Sequence, residues 1–218
     1  MTLFLTRLRT FFALLIVAAI LLPGLSQAQN APYTLVVTNR FNYTIRVGEF
    51  VSVDFRDTLV NQATIAPNQT AYLGYWGLQS GFLALQDSRG NLAPYSSRLE
   101  FYADANGLSS NNVSHIVGRN ASITLNDGNG RSKGDSLSIA GNAPGNIVVY
   151  DEYGRRGLLG YYDGATQARR DAANYMYRAL PCGGSYIKPE DDRLPFECNP
   201  MTLAQNPSRT YYVTFGAP

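Results

Sequence analysis

The sequence is poor in the residues that metal and nucleophile chemistry need. It has one histidine, His115, and two cysteines in 218 residues. A serine triad would depend on His115, which we interpret as a structural residue because it lies in the strand-like run "NNVSHIVG". Two thiols and one distant imidazole do not complete a closed zinc shell, and neither a G-x-S-x-G elbow nor a Walker spacing occurs. We therefore predict no metal and no cofactor.

The chain also lacks an excess of charge of either sign. Arg7 and Arg9 are two of the 18 basic residues and no acidic residue precedes residue 29, so the rest of the chain balances 16 basic against 16 acidic side chains. Proteins that bind nucleic acid or anionic membranes carry a positive surplus. The balance predicts that neither is a partner.

Long apolar runs are confined to the N-terminus. Arg7 and Arg9 precede an apolar run from Phe11 to Leu22, which the small-residue site Ser26-Gln27-Ala28 follows. This pattern predicts a secretory signal peptide over residues 1–28. The alternative is a membrane anchor, but the run is shorter than the roughly 20 residues that a spanning helix needs. We expect no membrane span after signal removal and a secreted, extracellular protein, with the periplasm as the alternative location.

The two cysteines lie close together, at Cys182 and Cys198. Because an exported chain meets an oxidising compartment, we predict that they form a disulfide. Closing a loop of this length stabilises the folded state by about 3 kcal/mol in the chain-entropy estimate.

Short β-branched or alternating runs dominate the remainder of the chain. Each is bounded by Gly, Pro, Asn or Asp, which is typical of strands in a β-sandwich or barrel. The predicted strands begin at Tyr33, Phe50, Gly81, Arg98, Ser114, Ala121, Asp135, Asn146 and Arg209.

Helical periodicity is found only in residues 163–180 and is ended by Pro181. The Gly/Asn/Ser-rich stretches 103–112 and 126–135 are interpreted as loops between strands. Residues 29–218 are therefore predicted to form a single all-β domain.

One glutamate is a candidate for acid chemistry. In "SRLEFYA", strand alternation places Glu100 and Tyr102 on the face opposite Leu99, and Asp104 follows. Glu100 and Asp104 are candidates for the two carboxylates of glycoside hydrolysis. An exposed strand glutamate without chemistry is the competing interpretation.

Two aromatic clusters lie between glycines, Tyr75 with Trp76 and Tyr161 with Tyr162. Rings that keep one polar end in water suit the faces of sugars. We name these four as candidate ligand-binding residues, with ordinary packing in an aromatic-rich β fold as the alternative.

Two segments resemble the thaumatin-like family. "SRLEFYADANGLSSNNVSHIVGRNASITL" resembles the family's A-E-F strand, its loop and its D-V-S-L-V-D-G-F-N segment. "YMYRALPCGGSYIKPEDDRLPFECNP", followed by "RTYYVTF", resembles the family's closing segment and last strand. The resemblance implies a flattened β-sandwich with a smaller loop-and-helix lobe and an acidic cleft between them, and it implies pairing of Cys182 with Cys198.

The sequence departs from the family at the positions that matter for chemistry. Glu100 matches the glutamate of A-E-F, but the two acids of the following segment fall on Asn112 and Val117, and the arginine segment aligns with "GFLALQ". Since hydrolysis needs a second carboxylate, we predict a non-catalytic domain that binds a β-glucan-like or other cell-wall polysaccharide. The alternatives are a weak endo-β-1,3-glucanase with Glu100 as acid, and a defence protein that inhibits or attacks a foreign protein or envelope.

Overall fold

A computed structural model describes residues 32–53, 56–78 and 80–218. The predicted signal peptide lies outside these residues. The described chain contains thirteen strands in three sheets and one α-helix. No helix in this part of the chain is both long and apolar enough to cross a membrane.

Strands make up most of the regular structure, and a single helix interrupts them late in the chain. The strands are β1 (Tyr33–Asn39), β2 (Ile45–Val53), β3 (Arg56–Ile65), β4 (Thr70–Tyr75), β5 (Gly81–Leu85), β6 (Arg98–Ala103), β7 (Ser109–Ser114), β8 (Gly118–Arg119), β9 (Ser122–Asn126), β10 (Ser132–Gly134), β11 (Val148–Tyr150), β12 (Arg156–Leu159) and β13 (Thr210–Gly216). The α-helix, α1, is Gln167–Ala179, and short 3-10 turns lie at Ala140–Asn142, Gly145–Ile147, Asp191–Arg193, Phe196–Cys198 and Pro200–Leu203.

Two five-stranded sheets form a sandwich. Sheet I has the strand order β10-β9-β13-β1-β4 and sheet II has the order β3-β2-β5-β6-β7. All described pairings in the two sheets are antiparallel except that of β1 with β13. The sandwich and its accompanying lobe confirm the predicted all-β architecture.

Alternation along each strand supplies the core between the sheets. In β1, Leu35 and Val37 are fully buried, whereas the alternating residues Thr34, Val36 and Thr38 are partly exposed. Leu83 and Leu99 of sheet II are buried in the same cluster. Fully burying such a side chain contributes about 2 kcal/mol, so this interface provides the main driving force for folding.

A smaller lobe is built from residues 135–209 together with β8 (Gly118–Arg119). It contains sheet III, with the order β11-β12-β8, and α1. Helix α1 begins at the N-cap Thr166, whose side chain accepts a hydrogen bond from the Arg169 N–H. Its apolar face packs Ala172 and Met176 against a separate small core that includes Leu158 of β12. The lobe therefore has its own packed centre.

The lobe ends in the cysteine loop. Cys182 and Cys198 form a disulfide with their Cα atoms 4.8 Å apart, as the sequence predicts. Asp191 organises the loop between them, because its carboxylate accepts hydrogen bonds from the Ile187 and Lys188 N–H groups at 2.7 and 2.9 Å and from the Tyr177 hydroxyl. The Asp191 carboxylate thereby ties the loop to α1.

Four local predictions were wrong, and one of them concerns the stretch 126–135, which is not all loop because it contains β10. Residues 135–139 form an irregular segment rather than a strand, and a 3-10 turn follows at Ala140. The stretch 103–112 is not all loop, because β7 begins at Ser109. His115 lies just after β7 rather than within a strand.

Candidate functional site

The outward face of β6 carries the candidate acid. Leu99, Phe101 and Ala103 point into the sandwich and are at most 3% exposed, so Glu100 and Tyr102 project from the other face of sheet II. They border an open cleft of about 400 Å³, which we call the Glu100 cleft. The cleft is lined by Ser52, Ser80, Gly81, Phe82, Arg98, Glu100, Phe101, Tyr102, Ser110, Asn112 and Met201.

The surroundings of Glu100 favour its protonated form. Glu100 lies opposite Phe82 of β5 and opposite Asn112 of β7 in the strand register. Burial raises the pKa of the Glu100 carboxyl, and the smaller effects of Arg98, Asn112 and Ser114 lower it only in part. Glu100 therefore stays protonated to a higher pH than an ordinary glutamate.

An arginine that sequence analysis missed lies beside Glu100. Arg98 projects from the same face of β6, and its guanidinium lies 4.1 Å from the centre of the Phe82 ring. It also forms an ion pair of 3.4 Å with Asp57, whose carboxylate accepts a hydrogen bond of 2.8 Å from the Ser52 hydroxyl. The cleft is therefore not acidic, in contrast to what the family resemblance implies.

The spacing of Arg98 and Glu100 could have revealed this neighbour, because residues two apart on a strand share a face. The contribution of Asp57 could not be read from the sequence. It depends on the pairing of β3 with β2, which brings Asp57 opposite Ser52.

The structure does not bring Asp104 into the Glu100 cleft. The Asp104 carboxylate accepts hydrogen bonds of 2.9 Å from both the Asn106 and the Leu108 N–H groups, and so closes the turn between β6 and β7. Asp104 lies four positions after Glu100, which corresponds to about 13 Å along an extended backbone. Among the described residues that line the cleft, Glu100 is the one carboxylate.

The candidate aromatic residues divide into a buried ring and exposed rings. Tyr75 is 1% exposed, stacks on Phe101 at 4.3 Å between ring centres, and donates a hydrogen bond to the Asn111 side chain at 3.2 Å. Its assignment as a ligand-binding residue is corrected, because the ring is part of the core. Trp76, directly after β4, is 56% exposed.

In the second aromatic cluster, each tyrosine ring lies beside a positively charged side chain of the smaller lobe. Lys188 lies 5.2 Å from the ring centre of Tyr161, and Arg169 lies 4.9 Å from that of Tyr162. None of Trp76, Tyr161 and Tyr162 lines the Glu100 cleft. The structure thus does not unite the sequence candidates into one site.

His115 belongs to a buried cluster. Arg119 donates a hydrogen bond of 2.6 Å to His115 Nε2 and a bidentate pair of 3.1 and 2.7 Å to Asp135. Burial, with the Arg119 charge second, holds the pKa of the His115 imidazole well below its usual range. The His115 imidazole is neutral and fully buried, and it belongs to the packing of this cluster.

A larger cavity of about 570 Å³ lies elsewhere, near Arg46, Asp87 and Arg155. Its charged groups are engaged in local structure, since Arg155 pairs with Asp151 at 2.5 Å and the Asp87 carboxylate accepts the Arg89 and Asn91 N–H groups at 2.9 and 2.8 Å. Hydrogen bonds from these N–H groups and from the Asn91 side chain lower the pKa of Asp87. The Glu100 cleft is the candidate that we carry forward, because Glu100 lies in its lining and burial raises the pKa of this carboxyl.

Comparison with known proteins gives structural likeness alone. No protein-family model and no curated protein matches the sequence. The protein elicitor MoHrip2 from Magnaporthe oryzae is similar with a TM-score of 0.36 and 13% identity, over 48% of this chain and 77% of that one. A β-1,3-glucanase domain from Clostridium beijerinckii is similar with a TM-score of 0.36 and 12% identity, over 68% of this chain and 61% of that one. This chain thus spans less than two thirds of the glucanase domain, and neither likeness assigns it a function.

Proposed function

We propose that the protein is a secreted, non-catalytic domain of thaumatin-like type that binds an uncharged extracellular polysaccharide, of β-glucan type, in the Glu100 cleft. The observation that carries this proposal is the composition of the described lining. The described lining contains one carboxyl group, one guanidinium group, and serine, asparagine and tyrosine side chains. These groups donate and accept hydrogen bonds, as recognition of sugar hydroxyls requires.

The same lining argues against hydrolysis. Retaining and inverting glycosidases place two carboxyl groups about 5 to 10 Å apart. Glu100 has no such partner among the described lining residues, and the nearby Asp57 is engaged by Arg98 and Ser52. Asp57 lies on β3, three strands away from β6, a backbone separation of about 14 Å.

A weak endo-β-1,3-glucanase remains the second candidate, and one observation favours it. A general acid must hold its proton at working pH, and burial raises the pKa of Glu100 in that direction. In that case Glu100 would protonate the leaving oxygen.

Export of the protein is part of the proposal. The N-terminal pattern predicts a signal peptide, and the Cys182–Cys198 disulfide is the kind of bond that persists in oxidising compartments. Amino-terminal sequencing of protein recovered outside the producing cell tests it. A mature terminus at Gln29 is expected, and an intact Met1 would contradict it.

Binding is tested with soluble β-1,3-gluco-oligosaccharides by calorimetry. Tyr102→Ala removes a ring from the cleft and should weaken binding roughly three- to tenfold, the usual range for one aromatic contact. Tyr150→Ala is the matched control, because Tyr150 is 60% exposed on sheet III. Equal affinities of the two variants, or no binding by the unmodified protein, would rule out the Glu100 cleft as the binding site.

A further inference from the structure

Among the described residues, the outward strand positions of sheet I, which we call the sheet I platform, hold no charged side chain. The outward positions of its five strands hold threonine, tyrosine, serine, asparagine, valine and glycine. In β13, for example, Thr210, Tyr212 and Thr214 point outward while the residues between them are buried. Lys133 of β10 points to the other side, where its Nζ donates to the Gly183 and Asn199 carbonyls at 2.6 and 3.0 Å.

Two tyrosines stand on the platform in register. Val36 of β1 is paired with Tyr72 of β4 on one side and with Tyr212 of β13 on the other. The side chains of Tyr72 and Tyr212 are 46% and 51% exposed. Because two strand spacings separate them, their backbones lie about 10 Å apart.

Threonines surround the two rings in rows. Thr70, Thr38, Thr214 and Thr124 follow one another across four strands, and Thr34 pairs with Thr210 beyond the tyrosines. These are six of the 14 threonines in the chain. The Thr38 and Thr70 hydroxyls are hydrogen-bonded at 3.0 Å, so the row is ordered at its edge.

The side chains of the platform indicate which class of ligand it can bind. An ionic ligand would find no counter-charge on the outward face of any of the five strands, whereas uncharged sugars match both the rings and the hydroxyl rows. The backbone separation of about 10 Å between the two tyrosines is close to the length of two sugar units in an extended β-1,4-linked chain. Both rings project from an open sheet face, which suits a flat surface better than a single flexible chain.

We propose that the sheet I platform is a second binding site, for the surface of an insoluble, uncharged polysaccharide made of extended β-1,4-linked chains, with Tyr72 and Tyr212 as its two stacking rings. Cellulose and chitin share this chemistry. The proposal does not depend on the Glu100 cleft, which lies on sheet II.

The test is sedimentation of the protein with microcrystalline cellulose, with chitin and with insoluble β-1,3-glucan. The unmodified protein should partition onto cellulose or chitin, and comparison of these two arms identifies the sugar. Tyr72→Ala with Tyr212→Ala should reduce the partition about tenfold, the factor expected for the loss of two ring contacts. Tyr72→Phe with Tyr212→Phe keeps both rings and should retain most of the binding.

Two controls separate this site from the rest of the surface. Tyr150→Ala with Tyr153→Ala removes two rings that are each 60% exposed outside sheet I, and should leave the partition unchanged. Val60→Lys, at an exposed position of sheet II outside the lining of the Glu100 cleft, should also leave it unchanged, which distinguishes the platform from sheet II. Circular dichroism confirms folding, and the single Tyr72→Ala and Tyr212→Ala variants replace the double variant if it does not fold.

The proposal is overturned if the unmodified protein binds neither cellulose nor chitin, or binds only the β-1,3-glucan. It is also overturned if loss of both platform rings affects the partition no more than loss of Tyr150 and Tyr153 does.

Discussion

The outward faces of the two large sheets differ in the charged side chains that they present. Sheet II presents Arg98, Glu100 and Asp57 around a cleft, whereas the strands of sheet I contain no acidic residue and point no charged side chain outward. Alternation requires polar residues on both faces but does not require charge on either. The contrast is therefore not a requirement of the sandwich fold.

The largest expected effect concerns an acid that sheet II buries on its inward face. Glu49 is 3% exposed, and desolvation raises its pKa from 4.5 to about 7, against a smaller opposing effect of the Asn61 side chain. The unfolded chain releases this proton at lower pH than the folded protein does, so stability falls as the pH rises from about 4.5 to about 7. Glu49→Gln should remove this decline and stabilise the protein by about 3 kcal/mol at pH 8.

Urea unfolding at pH 4 and pH 8 measures the effect of Glu49→Gln. Glu197→Gln is the control, because Glu197 is exposed and its loss should not change the pH dependence. Equal stability of the Glu49→Gln variant and the unmodified protein at pH 8 would show that burial of the ionised Glu49 carboxylate does not destabilise the folded protein.

A smaller effect is expected from adding a second carboxylate to the Glu100 cleft. Asn112→Asp places it directly opposite Glu100 on the neighbouring strand. Like charges in such a pair repel, so the variant should be destabilised by about 1 kcal/mol at pH 8 and much less at pH 4, where the Glu100 carboxyl holds its proton and the repulsion is lost.

The matched control for Asn112→Asp is Asn126→Asp on sheet I, where the cross-strand neighbours are Tyr212 and Ser132. Urea unfolding at the two pH values should show no comparable pH-dependent loss. A similar loss in both variants would mean that Glu100 is not the cause.

The smallest expected effect on stability comes from placing a charge on the sheet I platform. Thr70 is exposed, so Thr70→Lys should change the free energy of unfolding by no more than about 0.5 kcal/mol. The new ammonium must be desolvated against a neutral surface, so partition onto cellulose or chitin should fall. Val60→Lys on sheet II, where Val60 is 47% exposed, should leave the partition unchanged.

The strands with clear alternation were predicted from the sequence, and those of unusual composition were not. The run "YTLVVTN" predicts β1, and "RTYYVTF" predicts β13 to within one residue. By contrast, β7 reads "SSNNVS", which is typical of a loop. Ser109, its first residue, is satisfied by a distant partner, because its hydroxyl donates a hydrogen bond of 3.0 Å to the Asn206 carbonyl. A hydrogen-bond partner that is distant in sequence leaves no local pattern from which the strand could be predicted.

The candidate site was predicted only in part. Alternation alone places Glu100 on an outward face, but the ion pair of Arg98 with Asp57 depends on strand order. The burial of Tyr75 was not predicted. Flanking glycines indicate that the backbone is accessible, but the strand register decides on which face of the sheet the Tyr75 ring lies. The platform was also missed, because Tyr72 and Tyr212 are 140 residues apart in sequence and meet only through their pairings with β1.

The central claim is that the Glu100 cleft binds polysaccharide without cleaving it. Release of reducing ends from soluble β-1,3-glucan, with the unmodified protein and Glu100→Gln assayed together, tests it most directly. We expect no release by either protein, and retained binding by the unmodified one. Release by the unmodified protein that Glu100→Gln abolishes would contradict the claim and make Glu100 the acid of a hydrolase.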